Sequence, residues 1–325
     1  MSASSGTTGR AVSVGEPYLL PVGSGCHAWV QPDGGWGLSN AGLVVGRGES
    51  LLVDTLFDLP HTQRMLDGLA DLVAAAPIRT VVNTHGNGDH WFGNSLVAAD
   101  RIIASTATLG DMRAVGPEHL VALLGLPGPT GDYVRGIFGD FEFEGITPVY
   151  PDQAYDGELT LDVGGVEVVL VDVGPAHSAG DTIVICERDG VVFTGDIVFA
   201  GGTPIMWNGP TSNWLAACRR IAALAEVGLE TMVPGHGPVC PVTVAQDMAD
   251  YLEFVHDEAS RRHAAGMEAG VAARDIDLGR FATWPESERV GVNVATIYRE
   301  LDADSAPIPP GPVLFGCLAD LVGHH

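Results

Sequence analysis

Thr84-His85-Gly86-Asn87-Gly88-Asp89-His90 gathers four side chains able to bind a metal, those of His85, Asn87, Asp89 and His90, into six positions with glycines between them. Imidazole nitrogens and a carboxylate oxygen suit a zinc-class or iron-class cation. Glycine lets the backbone turn tightly enough for alternate side chains to converge on one point. The preceding Ile78-Arg79-Thr80-Val81-Val82-Asn83 reads as a short buried strand. The cluster therefore sits on the loop leaving a strand's C-terminal end, where α/β proteins collect functional groups.

Three later stretches repeat this arrangement. Val168–Val173 delivers Gly174-Pro175-Ala176-His177-Ser178-Ala179-Gly180-Asp181, Val191-Val192-Phe193 delivers Thr194-Gly195-Asp196, and Thr231-Met232-Val233 delivers Pro234-Gly235-His236. Each time an apolar strand ends in a turn and then a His or Asp. His85, Asp89, His90, His177, Asp196 and His236 are accordingly the candidate metal ligands. Asp181 reads as a loop-bracing residue. His27, His61, His119, His256 and His263 have no ligand-like spacing, and Cys240 is a weaker sulfur candidate four positions beyond His236.

With these elements in this order, the chain resembles the metallo-β-lactamase-fold superfamily. The H-x-H-x-D-H motif corresponds to His85, Asn87, Asp89 and His90, and the strand ending Leu52-Val53-Asp54-Thr55 matches an aspartate that braces a ligand. The resemblance implies a four-layer αββα sandwich, two packed mixed β-sheets flanked by helices, here with a helical C-terminal extension. It also implies zinc, with iron or manganese as alternatives. His85, the residue at 87 and His177 would hold one ion, Asp89, His90 and His236 the other, and Asp196 would bridge them. Asn87 departs from the family pattern, and a neutral amide oxygen is a far weaker ligand than imidazole. One firmly held ion and a weakened first site are expected. Asn87 itself has three readings: weak ligand, oxyanion hydrogen-bond donor, or turn residue.

The formal charge of −25 over 325 residues argues against nucleic acid and anionic membranes as partners, because neutralising phosphate requires basic side chains that are scarce here. Arg219-Arg220 and Arg261-Arg262 are the places where a local basic pocket would arise. Five scattered cysteines without C-x-x-C spacing do not read as a disulfide framework. Their odd number and scatter lead to the expectation of a reducing cytoplasm, and no apolar run reaches membrane-spanning length.

Three regions are expected: a flexible tail over 1–14, a catalytic unit over 15–243, and a helical region over 244–325 packed on it. A helix is predicted from about His61 to Ala76, with Met65, Leu66, Leu69, Leu72 and Val73 on one face. Another helix starts at Trp284-Pro285-Glu286, and Met248, Tyr251, Leu252 and Val255 share a buried helical face. Residues 107–150 are too apolar for a plain connection and read as a lid insertion. Phe138 and Phe141 within it, together with Trp207 and Trp214, are the candidate contacts to a substrate with apolar or aromatic bulk. The C-terminal Leu314–Val322 segment docks on the body or on a second subunit, giving a homodimer.

The expected chemistry is metal-assisted attack of water on the carbonyl of an ester, thioester, lactone or lactam, with Asp89 handling the water's proton and Asn87 facing the oxyanion. Ala28–Trp36, Ser39-Asn40-Ala41-Gly42, Trp284-Pro285-Glu286, Asn293 and Tyr298–Leu301 are similar to actinobacterial members linked with aromatic polyketide pathways. That resemblance implies a ring cyclase or cyclase-thioesterase as the alternative. The remaining alternative is a non-catalytic metal-binding protein.

Overall fold

The computed structural model describes residues 15–32, 34–302, 309 and 311–323; the tail expected over 1–14 lies outside them. Two sheets face each other. The first runs β1 (Tyr18–Pro21), β2 (Cys26–Val30), β3 (Ala41–Val45), β4 (Ser50–Val53), β5 (Ile78–Val82), β6 (Arg101–Ser105), β7 (Gln153–Tyr155), antiparallel up to β4 and parallel beyond it. The second is built in the order β13 (Cys240–Pro241), β12 (Thr231–Val233), β11 (Val191–Phe193), β10 (Thr182–Cys186), β9 (Val166–Asp172), β8 (Glu158–Val163), with only β11 and β12 parallel.

Side-chain alternation explains why these strands read as continuous apolar runs. Leu51, Val53, Val82, Ile103, Val184, Val191 and Phe193 fill the space between the sheets. Their neighbours Leu52, Val81 and Ile102 point outward beneath helix α1 (Leu59–Val73), while Ile183, Ile185 and Val192 point out beneath the helices of the other face. Strands covered on both faces have no polar side to show.

Helix α1 starts two residues earlier than the apolar pattern suggests. Asp58 accepts the His61 N–H at 2.9 Å, and Pro60 pre-sets the first turn. Met65 and Leu69 are buried, whereas Leu66, Leu72 and Val73 are only partly so. Residues 107–150 form α2 (Thr106–Ala114), α3 (Pro117–Leu124) and α4 (Gly128–Phe138), followed by irregular chain. The second face carries α5 (Thr211–Ala223), α6 (Ala245–Ala264), α7 (Ala269–Asp275), α8 (Val290–Leu301) and α9 (Gly311–Val322). Met248, Tyr251, Leu252 and Val255 of α6 are all buried.

The helix expected at Trp284-Pro285-Glu286 begins later. Glu286 adopts a left-handed backbone (φ 60), a short 3-10 turn covers Ser287–Arg289, and α8 starts at Val290. Glu286 serves a tertiary purpose that overrides local pattern: its carboxylate accepts the Trp36 N–H at 2.8 Å and pairs with Arg289 at 2.5 Å. Among the described residues, no helix is long and apolar enough to cross a membrane.

Candidate metal centre

Asp54, the His85–His90 loop, His177, Asp196 and His236 follow β4, β5, β9, β11 and β12, which end at the same edge of the sandwich. The pairing directions require this: β4 is parallel to β5, β11 to β12, and β9 runs with β11 across the antiparallel β10. Two groups of ligand atoms result, His85–His177–Asp196 and Asp89–His90–His236, each with its atoms within 4.8 Å of one another. Asp196 stands between them, 3.4 Å from His177 Nε2, 3.1 Å from His90 Nε2 and 3.4 Å from His236 Nε2. Gly235 makes room for it, since a Cβ there would lie 2.0 Å from Asp196 Oδ1.

The outer nitrogen of every imidazole is tied down. His177 Nδ1 donates to Ile205 O at 2.7 Å, His236 Nδ1 to Gly34 O at 3.1 Å, and His90 Nδ1 to the Asp54 carboxylate at 2.8 Å. His85 Nδ1 meets Thr84 Oγ1 at 3.0 Å, and that hydroxyl donates onward to Asp54 at 2.8 Å. All four Nε2 atoms thereby face inward, the ring orientation a metal requires. Among the described residues, His85 Nε2, His90 Nε2 and Asp196 Oδ1 are buried without a hydrogen-bond partner, although the last two lie 3.1 Å apart, and a cation would satisfy all three. Asp54 holds a left-handed backbone (φ 62) and braces one histidine of each group.

Charge is balanced within the cluster. Burial opposes ionisation throughout, yet Asp196, Asp89 and Asp54 outweigh it at His90 and hold that imidazole well above its usual pKa. Asp196 and Asp89 likewise lift His236 to about 9 against burial. Burial dominates at the other two, leaving His85 well below its usual value and His177 near about 4. Burial also opposes the charge on Asp89 and Asp196, but His90 and His236 keep both carboxyls below the ordinary range. These donors fit a divalent cation: when one binds, it takes over the positive charge carried by the protons on His90 and His236.

Asn87 lies beside the first group, its carboxamide oxygen standing 2.9 Å from His177 Nε2. His177 is neutral and its one proton is already donated to a carbonyl, so Nε2 can only accept. Exchanging the two amide ends, which are alike in shape, lets the Asn87 NH2 donate to that lone pair. Asn87 thus caps a ligand atom of the first group.

A cavity of about 450 Å³ opens onto this cluster. Asn87, Asp89, Asp196 and His236 form its floor, and Trp36, Phe57, Phe138, Phe199, Trp207 and Phe315 supply aromatic walls. Region 107–150 contributes Asp111, Val115, His119, Leu120, Leu123, Leu126 and Phe138, and α9 adds Leu314 and Phe315. Of the four aromatic residues expected at the substrate, Phe138 and Trp207 line the cavity. The other two do not. Trp214 is fully buried behind His177, its indole N–H given to Ile197 O at 3.0 Å, and Phe141 packs behind the wall against Phe57 and His61.

The arginine pairs form no basic pocket: Arg219, Arg220, Arg261 and Arg262 pair with Glu253, Glu158, Glu258 and Asp275. Cys240 belongs to neither ligand group. His119, which has no ligand-like spacing in the sequence, rims the cavity; Trp36, Phe57, Phe199 and Phe315 carry no local signal for their place in it.

The metallo-beta-lactamase superfamily model matches residues 34–236, a span that contains every ligand described above. The chain belongs to the metallo-beta-lactamase superfamily. Superfamily members are generally metal-dependent hydrolases. The fold is similar to that of the stereoselective inverting sec-alkylsulfatase Pisa1 from Pseudomonas sp., with TM-score 0.64 and 18% identity over 90% of this chain. It spans 52% of that protein, about half its length. A metallo-beta-lactamase from Pontibacter korlensis is similar at TM-score 0.54 and 15% identity, over 73% of this chain and 99% of that one. FIM-1 from Pseudomonas aeruginosa, in its mono-zinc form, is similar at TM-score 0.51 and 20% identity, over 73% of this chain and 95% of that one. Among curated proteins no sequence matches.

Proposed function

We propose that this protein is a zinc-dependent hydrolase that cleaves an ester, thioester, lactone or lactam carbonyl of an apolar or aromatic small molecule. The observation that carries the reading is the aromatic cavity set directly on the ligand cluster, with Asp89 and Asn87 lining its floor. Aromatic walls bind by area and exclude competing water, and the few polar groups fix orientation.

His85, His177 and Asp196 on one side, and Asp89, His90 and His236 on the other, would hold the metal, which supplies Lewis acidity and makes water acidic enough to attack at neutral pH. Asp89 orients the attacking water and accepts its proton. With His177 Nε2 given over to the metal, the Asn87 NH2 that caps it would be released to donate to the developing oxyanion, a contact that costs roughly 10²–10³ in rate when such a donor is lost. A sulfate ester fits this floor less well than a carbonyl. Arg289 is the one arginine lining the cavity among the described residues, and Glu286 already neutralises it.

An aromatic polyketide ring cyclase or cyclase-thioesterase is the second reading, favoured by the same aromatic walls. Elemental analysis of the purified protein together with a panel of thioesters, lactones and aryl esters tests the first. Metal-dependent release of free acid supports it, whereas a ring-closed product without hydrolysis supports the second. A protein that binds metal tightly and turns over nothing in either assay contradicts both.

A further inference from the structure

Asp111 stands on α2 with its β-carbon packed over the loop that carries His85 and Asn87. A Cβ placed on Gly86 would come within 2.6 Å of it. Its Oδ2 accepts the Ala179 N–H at 3.1 Å, tying it to the His177 loop as well, and Oδ1 accepts no hydrogen bond among the described residues. The side chain lines the same cavity as Asn87, Asp89, Asp196 and His236, on the Asn87 side. No metal-ligand group includes it.

From this placement we infer that Asp111 is the proton donor to the leaving group of the hydrolysis proposed above, an inference that rests on that reading. The other cavity carboxyls are committed, since Asp89 and Asp196 are held ionised by His90 and His236. Asn87 carries no acidic proton. Burial raises the Asp111 carboxyl above the ordinary carboxylate value, and the Ala179 N–H offsets this only in part. A cavity-facing carboxyl whose proton affinity is raised, with one oxygen free of hydrogen bonds among the described residues, is placed to act as a general acid.

In the reaction, water oxygen bonds to the carbonyl carbon while Asp89 takes one of its protons. When the bond from carbon to the leaving atom breaks, its electron pair stays on that atom and Asp111 supplies the proton. The products are the free acid and the protonated leaving group. The proton held by Asp89 returns to Asp111 through solvent, so nothing else is consumed.

The test is a series of 3-phenylpropanoate esters running from 4-nitrophenyl to methyl, hydrolysed by the zinc-loaded full chain. In wild type kcat/KM should depend weakly on leaving-group pKa. In Asp111→Asn, whose amide oxygen still accepts from Ala179, the methyl ester should lose about 100-fold and the 4-nitrophenyl ester under about tenfold, within the usual span for general acids. Zinc content and the unfolding midpoint should match wild type. A steep dependence in wild type, an equal loss on both esters, or a leaving-group-selective loss in His119→Gln instead would overturn the inference. If the loaded wild type cleaves none of the series, the hydrolase reading falls and takes this one with it. If wild type cleaves the whole series and the variant tracks it, only the role of Asp111 falls.

Discussion

Replacing Asp54 by Asn tests whether one buried carboxylate sets both halves of the metal centre. The backbone tolerates the change, because Asn is among the few residues at ease with the left-handed conformation at position 54. The hydrogen bonding does not. Asp54 accepts from His90 Nδ1 at 2.8 Å, from Thr84 N at 2.7 Å and from Thr84 Oγ1 at 2.8 Å, three donors converging on two oxygens. An amide offers one oxygen and one NH2, so at least one donor then faces another donor. Relief comes if His90 moves its proton to Nε2, which removes the lone pair aimed at the cluster, or if Thr84 turns its hydroxyl and releases His85. Loss of such an outer partner lowers metal affinity by roughly 10–100-fold, equivalent to about 1.4–2.8 kcal/mol. A competition titration against a chromophoric chelator measures it directly, and both ions should weaken because Thr84 carries the effect to His85. Affinity within twofold of wild type for either ion would refute the reasoning.

Asn87→His replaces the group capping His177 with a third strong ligand, so elemental analysis after mild dialysis should move from nearer one ion per chain towards two; an unchanged ratio would show that position 87 does not control the first group. In chelated protein His236 titrates at about 9 against an ordinary 6.5, so its stabilising contribution is complete below about pH 6.5 and is lost as pH rises through 9. The chelated unfolding midpoint should therefore fall across that window, whereas zinc-loaded protein should hold or gain as protons stop competing for ligands; parallel curves would contradict the assignment. Trp214→Ala should cost roughly 3–5 kcal/mol in denaturant unfolding, as for a large core truncation. Trp207→Ala should instead raise KM for aromatic esters with little loss of stability, and the reverse pattern would place the wrong tryptophan in the cavity.

The ligands were legible because each rides on a strand that announces itself. An apolar run, a turn and then His85, His177, Asp196 or His236 is a local pattern, and the fold had only to bring the strand ends to one edge. The aromatic wall was not legible in this way. Trp207 and Trp214 stand seven residues apart with equal apolar character, and what separates them is that Trp214 lies on the face of α5 turned towards the core. Phe315 reaches Trp36, Phe138 and Trp207, partners up to 279 positions away that no local periodicity specifies. Glu286 shows the same limit for backbone: its left-handed conformation follows from Trp36 and Arg289, and only tertiary context can reveal it. Asn87 stood out as unusual from sequence alone, but its hold on the His177 lone pair required knowing that His177 spends its proton on Ile205.

The division of the cavity into a charged floor and aromatic walls has a calorimetric consequence. Water against such walls gains little by staying, while water over Asp89 and Asn87 is held by strong acceptors and donors. A ligand that fills the walls releases the first kind and leaves the second, so its binding should carry a negative heat-capacity change that grows with aromatic area. The enthalpy at a single temperature should say little about the fit. Two ligands sharing a polar head but differing by one ring would then bind with diverging temperature dependences, and the slope of that divergence would read out the roof formed by Trp36, Phe138, Trp207 and Phe315 independently of any chemistry at the floor.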